Sequence, residues 1–371
     1  MKKVVSVLLS IIMITSLFAG CSGDGKKTST VQSSADTVIS AVYPVDETVV
    51  QHTKKQASYL NKPLSFFPLY TNGKKEKSRP DAVEFSWQYN GSADTEYILR
   101  LSENENMEDA VAYTSESESI SVYNLKLGTT YYWTVEADGT VSDVSTFTTD
   151  STPPRNLYVD GITNVRDLGG WECEDGTRTK QGLIFRCGRL NESSAVTPNI
   201  EITESGKRTM LEDLGIKTEI DVRKTSDGET GAIISSPLGD GVTYYSCPME
   251  WEGNTFLDNK EELLKVFEIL SKEESYPLIF HCNIGTDRTG MIAYLVNALL
   301  GVPEESLYRD YLYSNFGNIG GTRTLKNVEG SGYYAAVQAA EGDSLSEKTY
   351  NCLVDFGVPK EQLDSIISIL S

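Results

Sequence analysis

The chain has 371 residues, 39% of them apolar and 23% charged, with a formal net charge of -20 at pH 7. That length accommodates two domains with a core each, and the composition is that of a globular protein. So acidic a balance repels phosphate backbones and speaks against nucleic acid as a partner.

Met1-Lys2-Lys3 is basic, Val4 to Phe18 is almost wholly apolar, and Ala19-Gly20-Cys21 is a small-residue cleavage site ending in cysteine. These features in this order mark residues 1–20 as an export signal, not a fold element. The stretch LFAGC resembles a bacterial lipobox, with Phe18 where Leu is usual. The resemblance implies that Cys21 is lipidated and holds the protein on the outer face of a cell membrane. Plain secretion is the alternative. No other run approaches the ~20 apolar residues of a spanning helix. Residues 21–60, rich in Ser, Thr, Lys and Asp, read as a tether.

Residues 61–150 read as all-β. Ala82 to Trp87 alternates apolar and polar residues, and Tyr97–Leu101, Thr130–Ala137 and Ser145–Thr148 are further strands. Asn90-Gly91 and Asp138-Gly139 are turn pairs between them. NLKLGTTYYWTVEA, Asn124 to Ala137, resembles the E–F corner of a fibronectin type III sandwich, with Leu127 where that family has Pro. The resemblance implies that the Tyr131 hydroxyl bonds back to the preceding turn and that Trp87 is the core tryptophan.

Asp150-Ser151-Thr152-Pro153-Pro154 is a linker, and the pattern changes after it. In 155–371 strands are expected at Gly182–Phe185, Thr218–Val222, Thr243–Tyr245 and Leu278–Phe280. Helices are expected at Lys207–Leu214, Lys260–Leu270 and from Thr289 onward. Strands alternating with helices predict an α/β domain, a mainly parallel sheet flanked by helices. Ligands in such folds sit where a strand's C-terminal end turns into a helix. HCNIGTDRTG, His281 to Gly290, lies at such a point.

Five residues separate Cys282 from Arg288. A loop of that length can turn the amides of Asn283, Ile284, Gly285, Thr286 and Asp287 toward one anion, assisted by the N-terminus of the following helix. Arg288 can grip two phosphate oxygens side by side. The same field favours the thiolate of Cys282, which becomes a nucleophile toward phosphorus. Thr289 is placed to donate to the sulfur, and His281 to order the loop from behind. The chemistry needs neither metal nor cofactor. Only His52 and His281 are histidines, and the cysteines show no zinc spacing, so Cys173, Cys187, Cys247 and Cys352 read as buried free thiols.

CNIGTDR fits the C-x5-R motif of protein tyrosine phosphatases. The longer HCxxGxDRTG resembles the bacterial branch of that family that also acts on phosphoinositides. NVRDLGG (Asn164 to Gly170), GLIFRCGRL (Gly182 to Leu190) and LGIKTEIDVR (Leu214 to Arg223) are ordered blocks of the same resemblance, which spans 155–371. It implies a cysteine-phosphatase fold and phosphotyrosine, phosphoinositide or soluble inositol phosphate as substrate. The branch usually has Lys where Thr286 stands, and losing that cation should weaken attraction to multiply phosphorylated head groups. It usually has Ser where Cys187 stands, and a reversible Cys187–Cys282 disulfide becomes conceivable. A carboxylic acid must protonate the leaving oxygen. Asp287 and Asp221 are the candidates, Asp221 having a salt bridge to Arg223 or Arg166 as its alternative role. Arg166 and Asp167 are expected to brace the sheet end. Two other classes share the loop, a catalytically inactive surface binding protein and a sulfur-transferase. The survival of cysteine, arginine and aspartates favours the enzyme.

Overall fold

The protein is seen in a computed structural model that describes residues 37–92, 94–191, 201–224 and 235–371. The expected export signal and the expected lipidation site at Cys21 lie outside them. In chain order, the first strands are Ile39–Tyr43 (β1), Thr48–Val49 (β2), Val83–Tyr89 (β3), Tyr97–Ser102 (β4), Val111–Ser115 (β5), Ser119–Val122 (β6), Thr130–Ala137 (β7), Thr140–Val141 (β8) and Ser145–Thr149 (β9). Val83, Phe85 and Trp87 of β3 turn inward while Glu84 and Gln88 face solvent, the period-two signature of a strand with one buried face. One sheet runs β1-β3-β6; the other runs β2-β9-β7-β4-β5, with β8 on β7. Their inner faces share a core, where Phe85 meets Trp133 edge-on at 5.2 Å between ring centroids. The Tyr131 hydroxyl accepts the backbone N–H of Lys126 at 2.9 Å.

The second group of strands is Arg166–Asp167 (β10), Ile184–Cys187 (β11), Thr218–Asp221 (β12), Thr243–Ser246 (β13) and Leu278–His281 (β14). They form one sheet in the order β10-β11-β14-β12-β13, parallel except for the short edge strand β10. β14 sits at the centre. Its Leu278 and Phe280 enter the core on one face and its Ile279 the core on the other, so a continuous apolar run is what this position requires.

The helices are Lys54–Leu60 (α1), Glu204–Arg208 (α2), Lys260–Leu270 (α3), Asp287–Leu299 (α4), Glu304–Tyr313 (α5), Leu325–Glu329 (α6), Gly332–Ala339 (α7), Leu345–Phe356 (α8) and Lys360–Leu370 (α9). α4 is buried from Arg288 to Leu299; a helix enclosed on all sides belongs to the interior.

Two expectations need correction. The tether cannot extend to residue 60. β1 pairs with β3, and α1, opened by a Thr53/Gln56 capping box, buries Tyr59 in the core of the parallel-sheet body beside Phe316. The stretch after α1 stays on that body: Gly73 N–H donates to Asn315 O at 2.9 Å and Lys77 N–H to Phe316 O at 2.6 Å. The helix expected at Lys207–Leu214 starts earlier, with Thr203 as its cap, and its second half, Thr209–Asp213, widens into a π turn.

Candidate active site

The loop from His281 to Thr286 joins β14 to α4. Its carbonyls are pulled away from its centre. Asn283 O accepts from Arg189 N at 3.0 Å, and Ile284 O and Gly285 O accept from Asn164 Nδ2 at 3.2 and 3.0 Å. Gly285 O also accepts from Arg186 Nη2 at 2.8 Å. In a planar trans peptide the N–H points opposite to the C=O. Donors outside the loop therefore turn the amides of Ile284, Gly285 and Thr286 inward, which makes an anion cradle. Gly285 has φ +68, and a Cβ on it would meet Cys187 O at 2.2 Å. Asn164 itself takes φ 60, a region that Asn tolerates better than most residues.

Cys282 stands at the mouth of the cradle's strand, 1% exposed. Burial pushes its thiol pKa up, but the charge of Arg288 and the hydroxyl and backbone N–H of Thr289 outweigh it, and the net shift is downward. The Thr289 hydroxyl makes no bond of ideal geometry to any neighbour. It lies close enough to the sulfur to favour a thiolate. Arg288, 4% exposed, donates through Nη1 to Met249 O at 3.1 Å, so its side chain is fixed before any ligand arrives.

His281 lies under the loop with no exposure. Its Nε2 is 3.0 Å from Glu219 Oε1 and its Nδ1 3.9 Å from Asp221 Oδ1. Burial works against an imidazolium, yet Asp221 and Glu219 raise its pKa. Glu219, Asp221 and His281 converge closely enough to hold a metal ion. The Arg223 guanidinium already occupies the cation's role there, bonded to Asp221 through Nε and Nη2.

Both candidate acids are held by an arginine and a tyrosine, and exposure separates them. Asp221 is wholly buried, takes Arg223 and the Tyr244 hydroxyl on its oxygens, and has its pKa lowered: burial opposes the shift, and His281 and Arg223 produce it. A carboxylate so enclosed braces the sheet and does not reach a leaving group, so the proton-donor expectation for Asp221 gives way to the salt bridge with Arg223. Asp287, the first residue of α4, is partly exposed, and its charge works against the Cys282 thiolate without reversing the downward shift. It accepts from the Tyr311 hydroxyl at 3.0 Å and from Arg323 Nε and Nη2 at 2.8 and 2.7 Å.

Thr286 is buried, its hydroxyl 3.3 Å from Ile284 O, and points into the protein. Arg166 and Arg186 share Asp310 of α5, both at 2.6 Å, whereas Asp167 pairs with Arg155 at 2.8 Å. Cys187 and Cys282 are free thiols, and burial holds the Cys187 pKa well up. Asp310 and Arg323 lie outside the motif blocks, and Arg186, though inside GLIFRCGRL, has no role read from that block; only the folded chain brings the three to the loop. A cleft of about 650 Å³ between the sandwich and α2 is lined by Glu103, Glu108, Asp109, Glu212 and Asp213. Lys126 and Arg155 line it too, but carboxylates outnumber them and no cysteine is present, so it is not a second site of the Cys282 kind.

A thiol held toward its thiolate form, an arginine and an amide cradle at one strand–helix turn define an enzyme of the cysteine-dependent phosphoryl-transfer class. The chain belongs to the tyrosine phosphatase family, whose model matches residues 157–356, and it is a phosphatase. A Cupriavidus necator protein named for the tyrosine-protein phosphatases is 27% identical over 197 residues, 49% of this chain and 71% of the relative. A Nostoc commune tyrosine-protein phosphatase is 32% identical over 66 residues, 18% of this chain and 21% of that one. The catalytic core of the yeast PP-IP phosphatase Siw14, solved with citrate, aligns at 18% identity and a TM-score of 0.29. That alignment covers 41% of this chain and 82% of that one.

Proposed function

We propose that the protein hydrolyses phosphomonoesters, phosphotyrosine or phosphoinositides, through a cysteinyl-phosphate on Cys282, within a cysteine-phosphatase fold. The observation that carries this is a buried cysteine beside Arg288 at a loop whose carbonyls are held outward by Asn164 and Arg186, which leaves its amides inward. In the first step the Cys282 thiolate bonds to phosphorus, the P–O bond to the leaving group breaks, and Asp287 gives that oxygen a proton. In the second, water attacks phosphorus, the P–S bond breaks, and the Asp287 carboxylate takes the water's proton. Thr289 supports the departing sulfur, and Arg288 with the cradle amides holds the equatorial oxygens in both steps. Full-length protein is to be assayed for phosphate release from a phosphotyrosine peptide, a phosphoserine peptide, phosphoinositides and phytate. The preferred compound gives the substrate class; tight binding without release from any of them overturns the reading in favour of a surface binding protein.

The same reading places the enzyme outside the cytoplasm, anchored by a lipid on Cys21, with the fibronectin type III-like sandwich as a spacer or binding module. The apolar Val4–Phe18 run ahead of Ala19-Gly20-Cys21 supports the anchor, and the Tyr131–Lys126 hydrogen bond supports the sandwich's kinship. Cys21→Ser is expected to move the protein from the membrane pellet to the soluble fraction of fractionated cells. Unchanged pelleting would remove the lipid anchor from the reading.

A further inference from the structure

The expectation of a weakened attraction for multiply phosphorylated substrates assumed that position 286 faces the pocket. It does not: the Thr286 hydroxyl lies 3.3 Å from Ile284 O and 3.5 Å from Asn164 Nδ2, on the side of the loop away from the inward amides. A different cation stands at the site. Arg323 spends Nε and Nη2 on Asp287, and its Nη1 has no acceptor among the described residues. The side chain is 22% exposed, so Nη1 is open to an incoming group. Its backbone is fixed: Arg323 N–H donates to Asn315 Oδ1 at 2.7 Å and Asn315 Nδ2 donates to Arg323 O at 3.1 Å, with Asn315 itself fully buried. The guanidinium also lies within the field of the nucleophile. Its pKa is raised first by the hydrogen bond to Asp287, and Cys282 adds to the shift. The result is a pre-placed planar donor beside Asp287, where the cradle loop passes into α4, with one edge holding the acid and Nη1 without an acceptor among the described residues.

We propose that Arg323 is a specificity-determining residue of this phosphatase and grips, through Nη1, a second phosphate carried next to the scissile one. The favoured substrate class is then a ring or polyol with phosphates on adjacent carbons, above the corresponding monophosphate. This rests on the Cys282–Arg288 loop as the seat of the scissile phosphate. A guanidinium that keeps its bidentate partner on one edge and takes an anion on the other needs no rearrangement to do so.

The test compares kcat/KM for a short-chain phosphatidylinositol 4-phosphate and its 4,5-bisphosphate in wild type, Arg323→Gln and Arg323→Lys. Wild type is expected to prefer the bisphosphate by about tenfold or more, the scale of one charge-assisted hydrogen bond. Arg323→Gln is expected to erase that preference through KM, and Arg323→Lys to restore part of it. An equal preference in wild type and Arg323→Gln overturns the proposal. In a second arm, Cys282→Ser protein with and without Arg323→Gln is titrated calorimetrically with inorganic pyrophosphate and with inorganic phosphate. A pyrophosphate preference that Arg323→Gln removes supports the proposal; equal affinities in both proteins overturn it. If wild type turns over neither lipid, the lipid substrate reading fails, and the calorimetric arm alone decides the role of Arg323.

Discussion

Cys282→Ser is expected to lower kcat/KM by about 10^5-fold or more while leaving inorganic phosphate binding in place. The field at this position is strong enough to overcome complete burial and still bring a thiol below its ordinary pKa. A serine hydroxyl starts many units higher, so the same field leaves it protonated. The cradle loses nothing in the exchange: its amides are aimed by the Asn164 and Arg186 side chains and the Arg189 backbone N–H, and Arg288 is held by Met249 O. Turnover and binding should therefore separate in this variant. Phosphate release and a phosphate titration on the same preparation check both halves. Residual turnover within a hundredfold of wild type would show that Cys282 is not the nucleophile.

The nucleophile could be found in the chain because everything that makes it is local. An apolar run, a cysteine, a glycine and a helix start follow one another closely, and Cys282, Arg288 and Thr289 fall within eight consecutive residues. What aims the loop is not local. Asn164 reaches Gly285 across 121 residues, Arg186 reaches Asp310 across 124, and Arg166 reaches Asp310 across 144. Period and propensity do not report such pairings. The order of the parallel strands is non-local in the same way, with β14 lying between β11 and β12. The boundary at residue 60 misleads for another reason. The stretch is polar on average, and its folding depends on a few residues: the Thr53 and Gln56 caps, Tyr59, and the alternation in Ile39–Tyr43. β5 escapes notice because its residues are exposed or half-exposed; an edge strand with polar faces leaves little periodicity to read.

Asp310→Asn should be strongly destabilising. Asp310 is 4% exposed and ties two wholly buried arginines, Arg166 through Nε and Arg186 through Nη1, each at 2.6 Å. Removing the carboxylate's charge leaves two guanidinium groups facing each other out of water. Burial and the neighbouring Arg166 already push the Arg186 pKa down to about 10, which is the strain that Asp310 offsets. Breaking a buried pair from one side costs about 3–5 kcal/mol, and here one residue serves two pairs. The damage should reach the active site, because Arg186 also holds Gly285 O and Arg166 also bonds Asn164. Loss of stability should therefore bring a loss of phosphate affinity with it. The pH dependence has a definite sign. Burial raises the Asp310 pKa, but Arg166 and Arg186 lower it further, and the folded value lies below the ordinary 3.8. A carboxylate depressed in the folded state contributes its stability in full above the unfolded pKa and loses it as pH falls through the folded one. Wild type should consequently lose this contribution below about pH 4, and Asp310→Asn should show a flatter decline over the same range. Urea melts of both proteins at pH 7 and at pH 3 measure it. If the two differ by less than about 1 kcal/mol at pH 7, the buried pair does not hold the loop.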